Sequence, residues 1–418
     1  MCSWSLALGW CHCLPLLIHN IHSGALGVGL MVLYCRGIGN MSTEVIKPCL
    51  SETQASELVG RVFGLHVDRI HPLPSYDDQN FHVVVSGGGE YVLKIMNSMD
   101  SRDPEMLDVQ THAMMFLREK GLPTPTVLPT LQGETMSLQA IDCGSDCKQY
   151  IVRLLTYIPG TPLAKIPTSS QSLFEVGRMA ATIDKVLQEM EHHHLQRLNR
   201  ENFIWSLSNV HLLERYLTAM DGDPSQQVVR NIIELYKSQV QPRLGYFRKC
   251  INHGDFNDHN ILIEPEKPAE GINSNGFGEW QQQEQQQKRY RICGVLDFGD
   301  MYYGYYVFEV ATTLMYMMIE SKQPLEVGGP VLAGYESVIP LTAEERDVLY
   351  LLVLCRFCQS LVMARHTVLL HPENEEYLMI TARTGKGHLL RLWKMGKEAV
   401  EQLWFTSASS YHKATDRQ

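Results

Sequence analysis

The stretch INHGDFNDHNILIE, residues 251–264, decides the fold. An apolar flank leads into a glycine and a run of polar or charged side chains, and the strand-like run 261–263 follows. The run includes His253, Asp255, Asn257, Asp258 and Asn260. The start of a buried core strand does not normally carry so many acid and amide groups, because each of them needs a partner or water. The stretch therefore indicates a functional loop between two strands.

A second polar island, GVLDFGD at residues 294–300, places Asp297 directly after an apolar strand. Two strands that end in acid and amide groups and are joined by a hairpin predict oxygen ligands that converge. Such ligands suit Mg²⁺, which keeps part of its water and shares the phosphates of a substrate. We expect Asn260 and Asp297 to hold this metal, and Asp255 to face a hydroxyl group that receives phosphate.

Phosphate binding requires a cation, and Lys94 is the candidate. It lies in YVLKI, residues 91–95, with apolar residues on both sides. A lysine inside such a strand must emerge at a wet or anionic site. Taken alone, it is equally typical of an edge strand that is protected against aggregation. Together with the two polar islands, it predicts a contact with nucleotide phosphates.

The composition bounds the class of protein. The chain has 418 residues, 44% of them hydrophobic and 20% charged, which fits two or three domains or one large bilobal fold. A net charge of −10 argues against a broad basic face for nucleic acid. The 11 cysteines are odd in number and lack partners at zinc spacing, so reduced thiols in a cytoplasmic protein are expected.

The chain divides into segments of different character. Polar residues interrupt the apolar run within residues 1–40, so we expect a disordered or alternative-start extension rather than a membrane anchor. Residues 41–160 alternate strand and turn patterns and predict a small lobe that binds nucleotide phosphates. Residues 161–418 carry long amphipathic segments and predict a helical lobe with the catalytic loop, the metal site and the acceptor site. Within this lobe, residues 264–291 are rich in Gly, Asn and Gln and predict a flexible hairpin insertion.

Individual elements follow from the same patterns. Ser51 begins a capping box, which predicts the start of a helix. Strands are predicted at 81–85, 90–95 and 150–155, and a helix at 105–120. In the helical lobe, amphipathic segments are predicted at 173–190, 208–220, 227–246, 307–320, 342–370 and 384–404. The only strands predicted there are 260–263 and 292–296.

In combination, H-G-D-x-x-x-x-N before a strand, L-D-F-G and the V-L-K strand resemble the aminoglycoside phosphotransferase and choline kinase branch of the protein-kinase-like fold. The resemblance spans roughly residues 50–405. It implies an α+β, bilobal fold with a small antiparallel-sheet N-lobe and a larger, mainly helical C-lobe. It also implies that Asp255 is the catalytic aspartate, that Asn260 and Asp297 hold Mg²⁺, and that Lys94 contacts the α and β phosphates.

The same resemblance implies a nucleotide-binding hinge, and it exposes two departures. Leu155 and Tyr157 belong to the peptide that would meet the base. Where related enzymes place a glutamate as the lysine's partner, this chain has Gln110. Either Gln110 hydrogen-bonds Lys94, or Asp108 or Glu105 takes the place of the glutamate. No G-x-G-x-x-G run is present, so backbone amides with Ser75 or Asn80, in the stretch SYDDQNF, are expected to cap the phosphates.

Five stretches together resemble one subfamily of that branch: SYDDQNF, RLLTYIPG, ENFIW, INHGDFNDHNIL and LDFGDMYYGYYVFEVA. This likeness implies 5-hydroxy-L-lysine as the acceptor and GTP as the phosphate donor, in lysine and hydroxylysine catabolism. Two other interpretations stay open, an aminoglycoside-like or choline-like acceptor and a non-catalytic pseudokinase. The absence of an evident aromatic cage speaks against choline.

Several further side chains near the two polar islands have two possible roles each. Asp258, Asp300 and Tyr302 are candidates for binding the acceptor, and each is also compatible with loop scaffolding or packing. His253 is expected to anchor the catalytic loop by a hydrogen bond. Glu309 is expected to be a buried structural acid.

Overall fold

A computed structural model describes residues 46–75, 78–142, 147–266, 289–319, 321–370 and 375–415. The predictions for residues 1–40 and for most of the hairpin insertion, 267–288, lie outside the described residues.

The first helix, α1 (Glu52–Phe63), begins at the predicted capping box. The Ser51 side chain accepts from the backbone N–H of Gln54, and the Gln54 side chain accepts from the Ser51 N–H. These two bonds satisfy amides that a helix start leaves unpaired. The buried side of α1 packs on one face of the N-lobe sheet and forms a separate small core there.

The N-lobe sheet has six strands within the described residues, and all of its pairings are antiparallel. In chain order they are β1 (Val67–Leu73), β2 (Gln79–Val85), β3 (Glu90–Ile95), β4 (Val127–Leu128), β5 (Ser137–Asp142) and β6 (Cys147–Thr156). The spatial order is β1-β2-β3-β6-β4, with β5 paired to β6. The antiparallel N-lobe is therefore confirmed.

The register of β2, β3 and β6 sorts side chains onto the two faces of the sheet. One row, Phe81, Leu93 and Leu154, is buried in the core beneath α1. The next row, Asn80, Lys94 and Arg153, belongs to the opposite face, because successive side chains of a strand alternate. A lysine on this second face avoids the apolar core.

The second face is covered in part by α2 (Pro104–Glu119). Its N-cap is Asp103, whose side chain accepts from the Met106 amide, and Pro104 occupies the first turn. Arg153 reaches α2 and donates to the Thr111 hydroxyl at 2.8 Å. The helix is thereby attached to the strand that neighbours Lys94.

The C-lobe is mainly helical, as predicted. Its helices are α3 (Ser170–Leu187), α4 (Gln226–Leu235), α5 (Tyr306–Ile319), α6 (Gly328–Glu336), α7 (Ala343–Leu370), α8 (Glu375–Met395) and α9 (Lys397–Thr415). In the described part of the chain, α7 alone is long and apolar enough to cross a membrane. Because 94% of its most apolar window is buried inside the protein, α7 is a core helix.

The prediction of one continuous helix over 384–404 is wrong. The structure has a break between α8 and α9 at Gly396, whose φ is 83°. This left-handed conformation ends a helix and suits glycine, which has no Cβ to clash. The segment predicted as a helix over 227–246 also changes character after α4, into π-helical and 3₁₀ turns over Tyr236–Val240 and Gln241–Tyr246.

Short strands of the C-lobe frame the polar loops. β9 (Ile261–Pro265) pairs with β10 (Tyr290–Val295), and β7 (Thr161–Pro162) pairs with β9. A second ladder joins β8 (Lys249–Asn252) to β11 (Tyr302–Tyr305) and was not predicted from the sequence. The loop from β8 to β9 and the loop from β10 to β11 therefore lie side by side.

Candidate active site

Two buried side chains, Glu309 and Arg356, form hydrogen bonds with the loop between β8 and β9. The Gly254 N–H donates to Glu309 of α5 at 3.2 Å, and the Gly254 carbonyl accepts from Arg356 of α7 at 3.2 Å. Gly254 has a φ of 81°, and a Cβ there would lie 2.4 Å from the Asp300 carbonyl oxygen. A glycine is required here by both the backbone conformation and the close approach of the neighbouring loop.

His253 anchors this loop through both ring nitrogens. Nε2 lies 3.0 Å from the carbonyl oxygen of Leu296, and Nδ1 lies 3.3 Å from the Asp255 amide nitrogen. Burial lowers the pKa of His253 to about 4, so the ring is neutral at physiological pH. A neutral ring with one N–H and one acceptor nitrogen satisfies both contacts, and His253 has the anchoring position that was expected.

Asp255 is 4% exposed, and its two carboxylate oxygens differ in their hydrogen-bond partners. Oδ2 accepts from the side-chain amides of Asn257, at 2.9 Å, and Asn260, at 3.0 Å. Oδ1 is buried and receives no hydrogen bond from the described residues. Burial and the nearby charge of Asp300 raise the pKa of Asp255 to about 8, although the Arg356 guanidinium and the nearby Tyr316 hydroxyl oppose the shift. A buried acceptor without a donor fits a group that binds a substrate hydroxyl.

Arg356 is a component of the site that sequence reasoning missed. It is fully buried and donates to the Trp205 carbonyl at 2.8 Å, to the Tyr316 hydroxyl at 3.0 Å and to the Gly254 carbonyl. It therefore joins α7, α5 and the catalytic loop. The available signal was a lone arginine within the apolar run LLVLCRFCQSLV, since a buried cation must be paired.

Asn260 and Asp297 are brought together by the ends of β9 and β10. The Leu296 amide donates to the Asn260 carbonyl at 2.8 Å, which places Asp297 one residue further along. The Asn260 side-chain nitrogen donates to Asp255, so its amide oxygen remains as an acceptor. Asp297 has a left-handed φ of 55°, the only positive φ among described non-glycine residues. Backbone strain of this kind is concentrated at functional sites.

This donor set fits a hard divalent cation. Asn260 and Asp297 offer amide and carboxylate oxygens, and the Asn260 side-chain nitrogen is turned to Asp255. No thiol or imidazole belongs to the set, and oxygen ligands are those that Mg²⁺ prefers. The residues present therefore fit the predicted metal.

Lys94 forms an ion pair that was not anticipated. Its Nζ lies 2.9 Å from Oδ2 of Asp78, a residue that is 2% exposed in the loop between β1 and β2. Burial lowers the pKa of Lys94, but the charges of Asp78 and Asp297 outweigh this effect and the net shift is upward. Lys94 is thus a charged ammonium group that pairs with Asp78 and is also stabilised by the charge of Asp297.

The prediction that Gln110 is the lysine's partner is corrected by this geometry. The Gln110 side-chain amide donates instead to the Gly299 carbonyl at 3.0 Å. A neutral amide binds a carbonyl without the cost of a buried charge, whereas Asp78 provides the carboxylate that the ammonium group needs. Gln110 therefore joins α2 of the N-lobe to the segment that follows Asp297.

Ser75 and Asn80, the predicted phosphate caps, occupy the two ends of the loop that carries Asp78. The Ser75 hydroxyl donates to the Asp78 carbonyl at 2.7 Å and shapes this turn. Asn80 pairs in register with Lys94, and its Oδ1 is buried without a hydrogen bond from the described residues. Asn80 thus lies on the same face as Lys94, while Ser75 is engaged within the loop.

The predicted hinge lies at the end of β6, where Leu155 is still part of the strand and Tyr157 directly follows it. Leu155 is 8% exposed and pairs in register with Val92 and Val127. The Tyr157 amide donates to the Glu90 carbonyl at 3.1 Å, and its ring centroid lies 4.2 Å from that of His82. Leu155 is therefore largely buried, and Tyr157 lies just after β6, with its ring beside that of His82.

The three candidate acceptor residues have different environments. Asp300 is 2% exposed, and its charge acts on Asp255. Asp258 is also buried, and its carbonyl accepts from the Ala164 amide at 3.0 Å. Tyr302 is 2% exposed as well, and its ring packs against that of Phe203, which fits the packing role that was the alternative for this residue.

The fold and the site define a class, the small-molecule phosphotransferases with a protein-kinase-like fold. The model of the phosphotransferase enzyme family matches residues 69–272. A solved amicoumacin kinase, in complex with AMP-PNP and Ca²⁺, superposes with a TM-score of 0.59 at 14% identity. The superposition covers 82% of this chain and 94% of that one, and it supports the fold.

Two curated relatives narrow the class. A hydroxylysine kinase of Danio rerio is 54% identical over 89% of this chain and 100% of its own length. A hydroxylysine kinase of Bos taurus is 53% identical over 90% of this chain and 98% of its own length. The chain belongs to the hydroxylysine kinase family and is an enzyme.

Proposed function

We propose that this enzyme transfers the γ-phosphate of GTP to the hydroxyl group of 5-hydroxy-L-lysine and forms 5-phosphohydroxy-L-lysine and GDP. The observation that carries the acceptor is the 54% identity with a hydroxylysine kinase along that relative's entire length. The choice of GTP rests on the sequence likeness to the same subfamily. A cytoplasmic location in lysine and hydroxylysine catabolism belongs to the same proposal.

Asp255 is the catalytic residue of this reaction. Its Oδ1, which receives no hydrogen bond from the described residues, accepts the hydrogen bond of the substrate hydroxyl and orients that oxygen toward the γ-phosphorus. The new bond joins this oxygen to phosphorus, the bond to the β–γ bridging oxygen breaks, and the hydroxyl proton passes to Asp255. An ammonium group of the acceptor next to the carboxylate favours its ionised form and offsets the upward pKa shift caused by burial.

The nucleotide is held by groups from both lobes. Lys94, charged and poised by Asp78, contacts the α and β phosphates, with Asn80 beside it on the same face of the sheet. Asn260 and Asp297 would hold Mg²⁺, which would neutralise phosphate charge. The turn with Ser75 and the hinge with Leu155 and Tyr157 complete the nucleotide site.

An acceptor competition tests this proposal. Purified enzyme is supplied with 5-hydroxylysine, lysine, choline or an aminoglycoside, with GTP or ATP in turn, and nucleoside diphosphate release is measured. We expect the highest kcat/KM for 5-hydroxylysine with GTP. Lysine should be a weak competitive inhibitor, because it carries the same charges but offers Asp255 no hydroxyl. A higher kcat/KM for choline or the aminoglycoside would contradict the acceptor, and a higher value with ATP would contradict the donor.

A further inference from the structure

Histidines are concentrated where α2 of the N-lobe meets the segment that follows α3 of the C-lobe. The sequence EHHHL, residues 191–195, places three histidines in a row shortly after α3 has ended. From α2, Asp108 reaches this segment, and its Oδ2 lies 3.2 Å from Nε2 of His192. His112 follows Asp108 by one helical turn, and its ring centroid lies 4.9 Å from that of His192. Both lobes therefore contribute side chains to one cluster.

Three side chains of this cluster have the geometry of metal ligands. Asp108, His192 and His193 each offer one oxygen or nitrogen atom, and these three atoms lie within 4.8 Å of one another. Nitrogen and oxygen ligands lie about 2.0–2.2 Å from a bound Zn²⁺, so the three atoms need to approach only slightly to share one ion. His193 is exposed, and its ring can turn to close the remaining distance.

The two segments that carry the cluster are also held together by ion pairs. Near the start of α2, Glu105 pairs with Arg197 at 2.6 Å, and Lys120, directly after the helix, pairs with Glu189 at 2.5 Å. Along both segments, the cluster lies between these two pairs. A site on elements that are already fixed loses less conformational freedom when it binds a ligand. The cluster is therefore preorganised for an ion.

The donor atoms select the kind of ion. Imidazole nitrogens suit Zn²⁺ and similar transition metals, whereas Mg²⁺ prefers oxygen ligands. Two imidazoles and one carboxylate form a set of three protein ligands that zinc accepts with water in the fourth position. This set differs from the oxygens of Asn260 and Asp297, so the two sites select different ions.

The hydrogen bonds of His192 show how an ion would enter. Nδ1 accepts from the backbone amide of His194 at 3.2 Å, so in the neutral ring Nε2 carries the proton and donates to Asp108. An ion at Nε2 takes the place of this proton, which passes to Nδ1. The His194 amide then exchanges a weak bond for water at a partly exposed position. This exchange is a small cost beside three metal–ligand bonds.

We propose that Asp108, His192 and His193 form a Zn²⁺ site that joins the two lobes and is separate from the Mg²⁺ site. The ion stabilises the attachment of α2 to the C-lobe and takes no part in phosphate transfer. Because α2 also carries Gln110, which donates to the Gly299 carbonyl, the ion fixes the helix that makes this second contact between the lobes. The proposal is independent of the identity of the acceptor and the donor.

Zinc binding by the full-length enzyme tests this site. Zn²⁺ is titrated in competition with a chromophoric chelator, with excess Mg²⁺ present, into wild type, His193→Gln, Asp108→Asn and the control His66→Gln. The His66 side chain is 82% exposed and precedes β1. Wild type and His66→Gln should bind Zn²⁺ equally. The affinity of both site variants should be about a hundredfold lower, since even the supporting partners of a metal site are worth about tenfold to a hundredfold.

Two further measurements locate the ion. Zn²⁺ should raise the thermal unfolding midpoint of wild type and His66→Gln but not that of the site variants, because an ion that binds only the folded state stabilises it. Since the chain has 11 cysteines, Co²⁺ is then used in place of Zn²⁺, and its spectrum should lack the charge-transfer band of thiolate ligands. No binding by wild type, equal affinity in all four proteins, or a thiolate band would each overturn the assignment. Because His193 is exposed, His193→Gln should match the wild-type midpoint without Zn²⁺.

Discussion

Asp78 changes the interpretation of the nucleotide-phosphate site, because it replaces Gln110 as the partner of Lys94. A helix partner for Lys94 was expected from family likeness, and Gln110 occupied that position in the sequence. The structure gives the lysine a carboxylate from the neighbouring loop, where Asp78 also accepts from the backbone amide of Asn97 at 2.8 Å. The two adjacent acids of SYDDQNF were visible in the sequence. The ion pair between Asp78 and Lys94 of β3 was not.

Asp78→Asn tests the role of this ion pair. Without the carboxylate, burial lowers the pKa of Lys94 with less opposition, and the ammonium group loses its fixed position. We expect the KM for the nucleotide to rise by about tenfold or more, as for a lost charged hydrogen bond, while the KM for the acceptor changes little. Steady-state kinetics with varied nucleotide measure this effect.

The control is Asp68→Asn on β1, where the side chain is half exposed and accepts from the Ser86 hydroxyl. It should behave like wild type. A nucleotide KM that is unchanged in Asp78→Asn would show that the ion pair does not position Lys94.

At the residue scale, the sequence predicted best those groups that are close to one another along the chain. Asp255 and Asn260 lie in one loop between two short strands, and Asp297 directly follows the partner strand, so their convergence could be inferred. Arg356 could not be placed in this way. Its contacts are with Trp205, Gly254 and Tyr316, which are brought together only when the helices pack.

At the scale of elements, the catalytic loop depends on α5 and α7 as much as on its own strands. Glu309 of α5 accepts the Gly254 amide, and Arg356 of α7 donates to the Gly254 carbonyl. The long helical patterns of α3, α5 and α7 were predicted well, whereas β8 and β11 have only four residues each. Their pairing joins Asn252 to Tyr302 across the intervening loops, and a local pattern carries no information about such a contact.

Glu309 makes stability depend on pH. Burial raises its pKa from 4.5 to about 7, although the bond from Gly254 opposes the shift. The folded state therefore prefers the protonated acid more strongly than the unfolded chain does. This contribution to stability is fully present below about pH 4.5 and is lost as the pH rises through about 7.

Glu309→Gln keeps an oxygen that accepts from Gly254 but cannot ionise. Relative to this variant, the wild-type free energy of unfolding should fall by roughly 3 kcal/mol between pH 4.5 and pH 8. Denaturant unfolding at several pH values measures the difference. Glu57→Gln, at an exposed position on α1, should follow the wild-type curve. Parallel curves for wild type and Glu309→Gln would contradict the buried-acid account.

At the scale of the whole molecule, the site is built where the two lobes meet. Gln110 joins α2 to Gly299, and the Val295 amide of β10 donates to the Pro123 carbonyl at 2.8 Å. The bilobal α+β fold was predicted because its motifs occur in a fixed order along the chain. The contacts between the lobes were not predicted, because they depend on loop and helix positions that a sequence pattern does not specify.

In the proposed reaction, Asp255 orients the acceptor hydroxyl and takes its proton. The most direct measurement is single-turnover phosphate transfer from GTP to 5-hydroxylysine by Asp255→Asn, with nucleotide binding measured on the same preparation and Asp68→Asn as the control. An asparagine cannot accept the proton, and general-base contributions are about 10² to 10⁴ in rate. We predict that Asp255→Asn binds GTP like the wild-type enzyme and loses transfer by a factor in that range. A rate like that of the wild-type enzyme would contradict the account.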